Sequence, residues 1–237
     1  MLLFFVRHGH PIYKPDRLTA PGRAQARAIG ERMAAIAPDH VFVSSSNRAI
    51  ETALPTCERL GLTPEVLDWC NEKYAFQGMH VLRADGKPVW CFTDEPTIRR
   101  FNEQDVVKAG QDWIEMPEFK ENGLADGFIR IRDEANALLA SLGFSHEGAF
   151  YRMTEKPKYD RVALFAHEGF GRAFLSSILD IPYPLFSTHF FINYTSLTVI
   201  EFEDTDQPAP PHLMTFANDA HLYKNNTFPS HFLRLNF

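Results

Sequence analysis

The stretch "LLFFVRHGH", residues 2–10, decides the fold. Leu2 to Val6 is apolar without a break, as in a parallel strand covered on both faces. It runs straight into Arg7-His8-Gly9. An arginine and a histidine at the end of a buried strand cost free energy to desolvate unless something compensates them. In open α/β sheets, ligands bind outside the carboxyl ends of the strands. The stretch therefore reads as a strand and as one edge of a site.

The pattern recurs twice. His40 to Val43 reads as a second short strand leaving through Ser44-Ser45-Ser46, and Val162 to Ala166 as a third leaving through His167-Glu168-Gly169. Each strand is followed by a helix. The first takes Thr19 as its N-cap and Pro21 in its first turn, with Ile29, Met33 and Ile36 on the buried face. The second is predicted from about Asn47 to Leu60, with Ile50, Leu54 and Cys57 inward and Gly61 as its stop signal. The third runs from Phe170 to Leu179. Three strand–turn–helix units specify an α/β fold, a three-layer αβα sandwich with a mostly parallel central sheet. Ser196 to Phe202 and His212 to Ala217 flank a Pro-rich loop and are expected to pair antiparallel at one edge.

The length fits a single domain, 1–237, with an inserted lid segment at about 73–159. That insertion holds Phe76, Trp90, Phe92, Phe101, Trp113 and Phe119 among prolines, glycines and charges, and most of these are expected in the core. Its strongest element is a helix with Phe128, Ile131, Ala135, Leu138 and Leu142 in register, closed by Gly143. The rest is expected to wall a pocket above the sheet.

Composition narrows the partners. Hydrophobic residues at 45% allow a core, and a net charge of −6 disfavours nucleic acid and anionic membrane surfaces. No apolar run approaches a membrane span, and the N-terminal run is too short for a signal segment. Cys57, Cys70 and Cys91 lack C-x-x-C spacing and read as reduced thiols of a cytoplasmic protein. The sequence leaves homo-oligomer formation open.

Against that acidic average, a cationic cluster is informative. If the three strands are neighbours, Arg7, His8, Arg48 and His167 converge on one sheet edge. Such a cluster repels itself unless an anion occupies it. Phosphate fits, because guanidinium forks match its oxygens and helix N-termini add N–H donors. Gly9 is expected to let the backbone approach that ligand closely.

"VRHGH", "SSSNRAIETA" and "LFAHEGFGRAFL" together resemble the histidine phosphatase superfamily, which includes cofactor-dependent phosphoglycerate mutases and many phosphatases. The resemblance covers most of the chain and is weakest through about residues 76 to 150. It implies that His8 is the nucleophile that accepts the phosphoryl group. It also implies that Arg7, Arg48 and His167 bind the phosphate, and that an acidic residue after the second helix donates a proton. In Leu67-Asp68-Trp69-Cys70-Asn71-Glu72 that acid is taken as Glu72, with Asp68 and Glu168 as alternatives. The reading is a metal-independent phosphomonoester phosphatase acting on a small phosphorylated metabolite, with no cofactor. A phosphoglycerate mutase and a non-catalytic phospholigand-binding protein are the alternatives.

Some residues stand apart. Pro11 removes one potential phosphate donor. Glu168 brings negative charge close to the anion site, and either turns into solvent or competes for the proton-donor role. His8-Gly9-His10 has the look of a metal pair, but Arg7 opposes a cation there and no second ligand cluster appears. Asn218 and His221 read as structural. Arg99-Arg100 reads either as a solvated pair or as a reach over the pocket to a second substrate anion.

Overall fold

The apolar run becomes the strand β1 (Leu2–Arg7), third in a six-stranded sheet whose other members are β2 (His40–Ser44), β3 (Glu65–Leu67), β4 (Arg161–Ala166), β5 (Leu197–Glu201) and β6 (His212–Asn218). The structure is a computed structural model describing residues 1–224; the end of the expected 1–237 domain, 225–237, lies outside the described residues. The sheet order is β6-β5-β1-β4-β2-β3. The strands β1, β4, β2 and β3 are parallel, and β5 is antiparallel to both β1 and β6. The antiparallel pair β5–β6 lies at one edge, as the Pro-rich connection suggested.

Register places the site. Arg7 stands opposite Ala166 and Phe165 opposite Val43, so the polar exits of three strands leave the sheet side by side. Pleating sends Leu3 and Phe5 to one face and Phe4 and Val6 to the other, all four essentially inaccessible. Phe4 and Val6 pack with Ile29 and Met33 of α1 (Ala20–Ile36) and Ala49, Ala53 and Cys57 of α2 (Asn47–Leu60). Thr19 caps α1 as expected, its hydroxyl accepting from the Gly22 N–H at 3.0 Å. Leu54 is not inward; it is 40% exposed. Apart from Arg48, the buried residues of α2 are small, and α1 lies so close that a Cβ on Gly30 would stand 2.7 Å from Pro55 Cβ.

The opposite face carries α3 (Glu72–Met79), α4 (Leu124–Ser141) and α5 (Glu168–Ile178). Phe101, Trp113 and Phe119 are buried, and Trp113 meets Phe128 of α4 edge-on. Trp90 and Phe92 are only half-buried and stand above the sheet end. Arg99 and Arg100 do not reach the pocket; Arg99 pairs with Glu95, and Arg100 with Glu103, Asp105 and Glu118. Among the described residues, no helix is long and apolar enough to cross a membrane.

Helix α3 is held in place at a glycine crossing, since a Cβ on Gly127 would stand 2.1 Å from the Gly78 carbonyl oxygen. Gly127→Ala is therefore expected to wedge α3 from α4 and lower the unfolding free energy by about 1–3 kcal/mol. Urea denaturation measures this, and an unshifted midpoint would show that the crossing can give.

Candidate functional site

Arg7 and His8 end β1 with 6% and 2% exposure. His8 Nδ1 lies 2.7 Å from the Gly9 carbonyl oxygen. A carbonyl can only accept, so Nδ1 carries the ring proton and Nε2 keeps its lone pair. Arg48 Nε donates toward that Nε2 at 3.3 Å. Burial, followed by the charges of Arg7 and Arg48, pushes the His8 pKa far below the usual histidine range. The ring is neutral, with its basic nitrogen toward the cavity. Gly9 is also required by packing: its Cβ would stand 2.7 Å from the Gly22 carbonyl oxygen.

Arg48 lies on the first turn of α2, carried there by the serine exit of β2. Its Nη1 pairs with Asp16 at 2.8 Å, and its Nη2 lies 3.2 Å from His167 Nδ1. His167 links β4 to α5 and is fully buried. Its Nε2 lies 2.7 Å from Ser44 Oγ and 2.9 Å from Ser46 Oγ. Burial first, then His8 and Arg48, push its pKa far down.

Glu72 opens α3. One of its carboxyl oxygens lies 3.1 Å from His167 Nδ1, and the other accepts from the Phe170 N–H in the first turn of α5 at 3.3 Å. Because His167 is neutral, a hydrogen bond at this contact requires a proton on one of its two atoms. Asp68 is engaged elsewhere, accepting from Ser45 and Tyr74, and these bonds hold its carboxyl below the usual range. The structure thus brings Arg7, His8, Arg48, Glu72 and His167 together and leaves Asp68 outside.

Glu168 does not turn into solvent. It bridges Arg7 at 2.7 Å and Arg172 at 2.6 Å. Arg7 also donates to the Ile192 carbonyl oxygen and lies 4.0 Å over the Tyr194 ring. Arg172, Tyr194, Tyr13 and Asp16 escaped the sequence reading. The four-residue spacing of Glu168 and Arg172 on a helix was a usable signal; Tyr194 offered none. His10 bonds Thr19 and sets its ring against Tyr194, so it forms no pair with His8. Asn218 and His221 are structural: Asn218 accepts from Arg32 at 2.6 Å, and His221 lies 3.3 Å from Thr195 Oγ1. Thr195 in turn donates its N–H to the Arg7 carbonyl oxygen.

Arg7, His8, Arg48, Glu72, Glu168 and Arg172 line a cavity of about 470 Å³, walled by Tyr13, Trp90, Phe92, Phe191 and Tyr194. His8, Glu72 and His167 could each offer a ligand atom, all within 4.8 Å of one another. Arg48 already points donors at both ring nitrogens, a poor fit to a metal ion.

Residues 3–88 match the family model for the histidine phosphatase superfamily (branch 1). Solved structures share the fold over nearly the whole chain. One is described as mycobacterial hydrolase 1, at 21% identity, covering 92% of this chain and 98% of that one with a TM-score of 0.60. Another is a mycobacterial glucosyl-3-phosphoglycerate phosphatase complexed with VO3, at 21% identity, 91% and 98% coverage and a TM-score of 0.56. A third is a phosphoserine phosphatase from Entamoeba histolytica with 3-phosphoglyceric acid, at 14% identity, 93% and 98% coverage and a TM-score of 0.58. Among proteins of curated function, none matches this chain.

Burial of neutral histidines sets the acid response. The folded state refuses protons that the unfolded chain accepts below about pH 6.5, so stability is full above that pH and falls as pH drops. His221, whose pKa burial pushes down to about 4, is the clearest case outside the cavity. Between pH 8 and pH 5 it accounts for about 2 kcal/mol of lost stability. His221→Gln is expected to remove that share of the slope in urea titrations at the two pH values. A slope equal to wild type would contradict the assignment.

Proposed function

With residues 3–88 matching the histidine phosphatase superfamily and the fold of solved phosphatases running along the chain, we propose that this protein is a phosphomonoester phosphatase working through a phosphohistidine at His8. One observation carries the reading: His8 Nε2 keeps its lone pair toward a cavity flanked by Arg7 and Arg48, with Nδ1 anchored on Gly9.

The chemistry follows from that geometry. Nε2 attacks phosphorus, the P–N bond forms, and the ester P–O bond breaks with its electron pair on the leaving oxygen. The arginines bind the phosphoryl oxygens and the charge that builds on them. The proton held between Glu72 and His167 passes to the leaving alcohol. The Glu72 carboxylate then takes a proton from water as its oxygen attacks phosphorus. Breaking the P–N bond returns the electron pair to Nε2 and releases orthophosphate. The scheme needs no metal and no cofactor. The substrate is a small phosphate ester, and three buried free cysteines fit a reducing, cytoplasmic setting.

His8→Ala is expected to abolish turnover while the fold persists. Brief incubation of wild type with labelled substrate should trap an acid-labile, base-stable phosphoprotein that His8→Ala does not form. Turnover by the variant at the wild-type rate overturns the mechanism.

Leaving-group dependence tests Glu72. Glu72→Gln is expected to slow enzyme phosphorylation by about 10²–10⁴ for alkyl phosphates and far less for p-nitrophenyl phosphate, whose leaving group departs unprotonated. Single-turnover rates make the comparison. Equal losses would reduce Glu72 to a structural part.

A further inference from the structure

The cavity's arginines already have carboxylate partners: Arg48 pairs with Asp16, and Arg7 and Arg172 share Glu168. A phosphomonoester can recruit Arg7 and Arg48. A second anionic group on the same substrate would then need Arg172, whose two terminal nitrogens are engaged and whose one unpartnered nitrogen, Nε, is buried. One of its nitrogens donates to the Ser187 carbonyl oxygen and another to Glu168, while Phe92 covers its face at 4.2 Å. Among the described residues lining the cavity there is no further lysine or arginine. Glu168 would also repel a second anion directly.

The rest of the wall is aromatic. Trp90 and Phe92 stack on each other, with ring centroids 5.2 Å apart, and line one side. Phe191 and Tyr13 stand at the rim with 53% and 64% exposure. Large rings held half in water around a cavity gain by being covered with another flat apolar surface.

We infer that the substrate carries no anionic group besides its phosphate and offers a flat, aromatic face on its alcohol part. This deepens the phosphatase reading and rests on it for the position of the phosphate. Glu168 and Arg172 exclude acidic leaving groups, and the aromatic wall selects planar ones.

Binding of phosphonates, which cannot be hydrolysed, separates this inference from the catalytic reading. The probes are methylphosphonate, benzylphosphonate and 4-carboxybenzylphosphonate, titrated calorimetrically into the full-length protein. The benzyl compound is expected to bind at least about tenfold more tightly than the methyl one, through buried apolar area. The added carboxylate should cost about tenfold in affinity through its repulsion from Glu168. Glu168→Gln should shrink that carboxylate cost, and Phe191→Ala and Trp90→Ala should each shrink the benzyl-to-methyl ratio. Equal or tighter binding of the carboxylated probe by wild type overturns the inference, as does benzyl binding no tighter than methyl. Binding of none of the three overturns it together with the phosphate site. The expected ratios without any phosphohistidine would uphold the binding preference while the catalytic reading fell.

Discussion

The guanidinium of Arg7 leaves water at the end of the central strand, and much of the site is arranged around keeping it charged. Burial pushes its pKa down, and Glu168 pushes it back up. Arg48, also buried, pairs with Asp16 at 2.8 Å. A buried cation without such a partner is strongly destabilising. The two arginines then act on their neighbours. They add to the burial that keeps His8 and His167 neutral, and a neutral ring is what leaves Nε2 with a lone pair. The same positive field that suppresses protonation favours an incoming phosphate. The buried arginines therefore help set the protonation state of both rings, while the Gly9 carbonyl sets the tautomer of His8.

Support for these groups comes from unrelated parts of the chain. Ser44 and Ser46 hold the far nitrogen of His167, so the polar exit of β2 orients a ring that β4 delivers. Glu72 reaches the same histidine because α3 packs backbone to backbone on α4. Trp90 and Phe92, from the segment least legible in the sequence, close the cavity over both.

What could be read from the sequence and what could not divide along a physical line. Uninterrupted apolar strands, the Thr19 cap and the helix of residues 124–141 are local patterns, and each appeared where its pattern stood. Arg7, His8, Arg48 and His167 were readable because each follows directly on such an element. Leu54 was misread because helical periodicity cannot say that α1 approaches closely enough to admit only small residues. The packing role of Gly9 was not legible for a similar reason: its neighbour, the Gly22 carbonyl, belongs to another element. Glu168 was noticed as a charge, but its two arginine partners depend on side-chain reach across a fold. Tyr194 and Asp16 lie in connections whose sequence carries no periodicity, so only the assembled structure gives them a place.

The wide spacing of these contacts bears on how the protein comes into being. Arg7 donates to a carbonyl 185 residues away, and Ser46 meets His167 across 121. Contacts so distant in sequence form only after a large loss of chain entropy, and proteins dominated by them fold slowly. Residues 3–88, which carry the clearest motif, hold neither His167 nor the Ile192 carbonyl. A nascent chain stopped short of Ile192 thus has its most recognisable segment but lacks the carbonyl to which Arg7 donates.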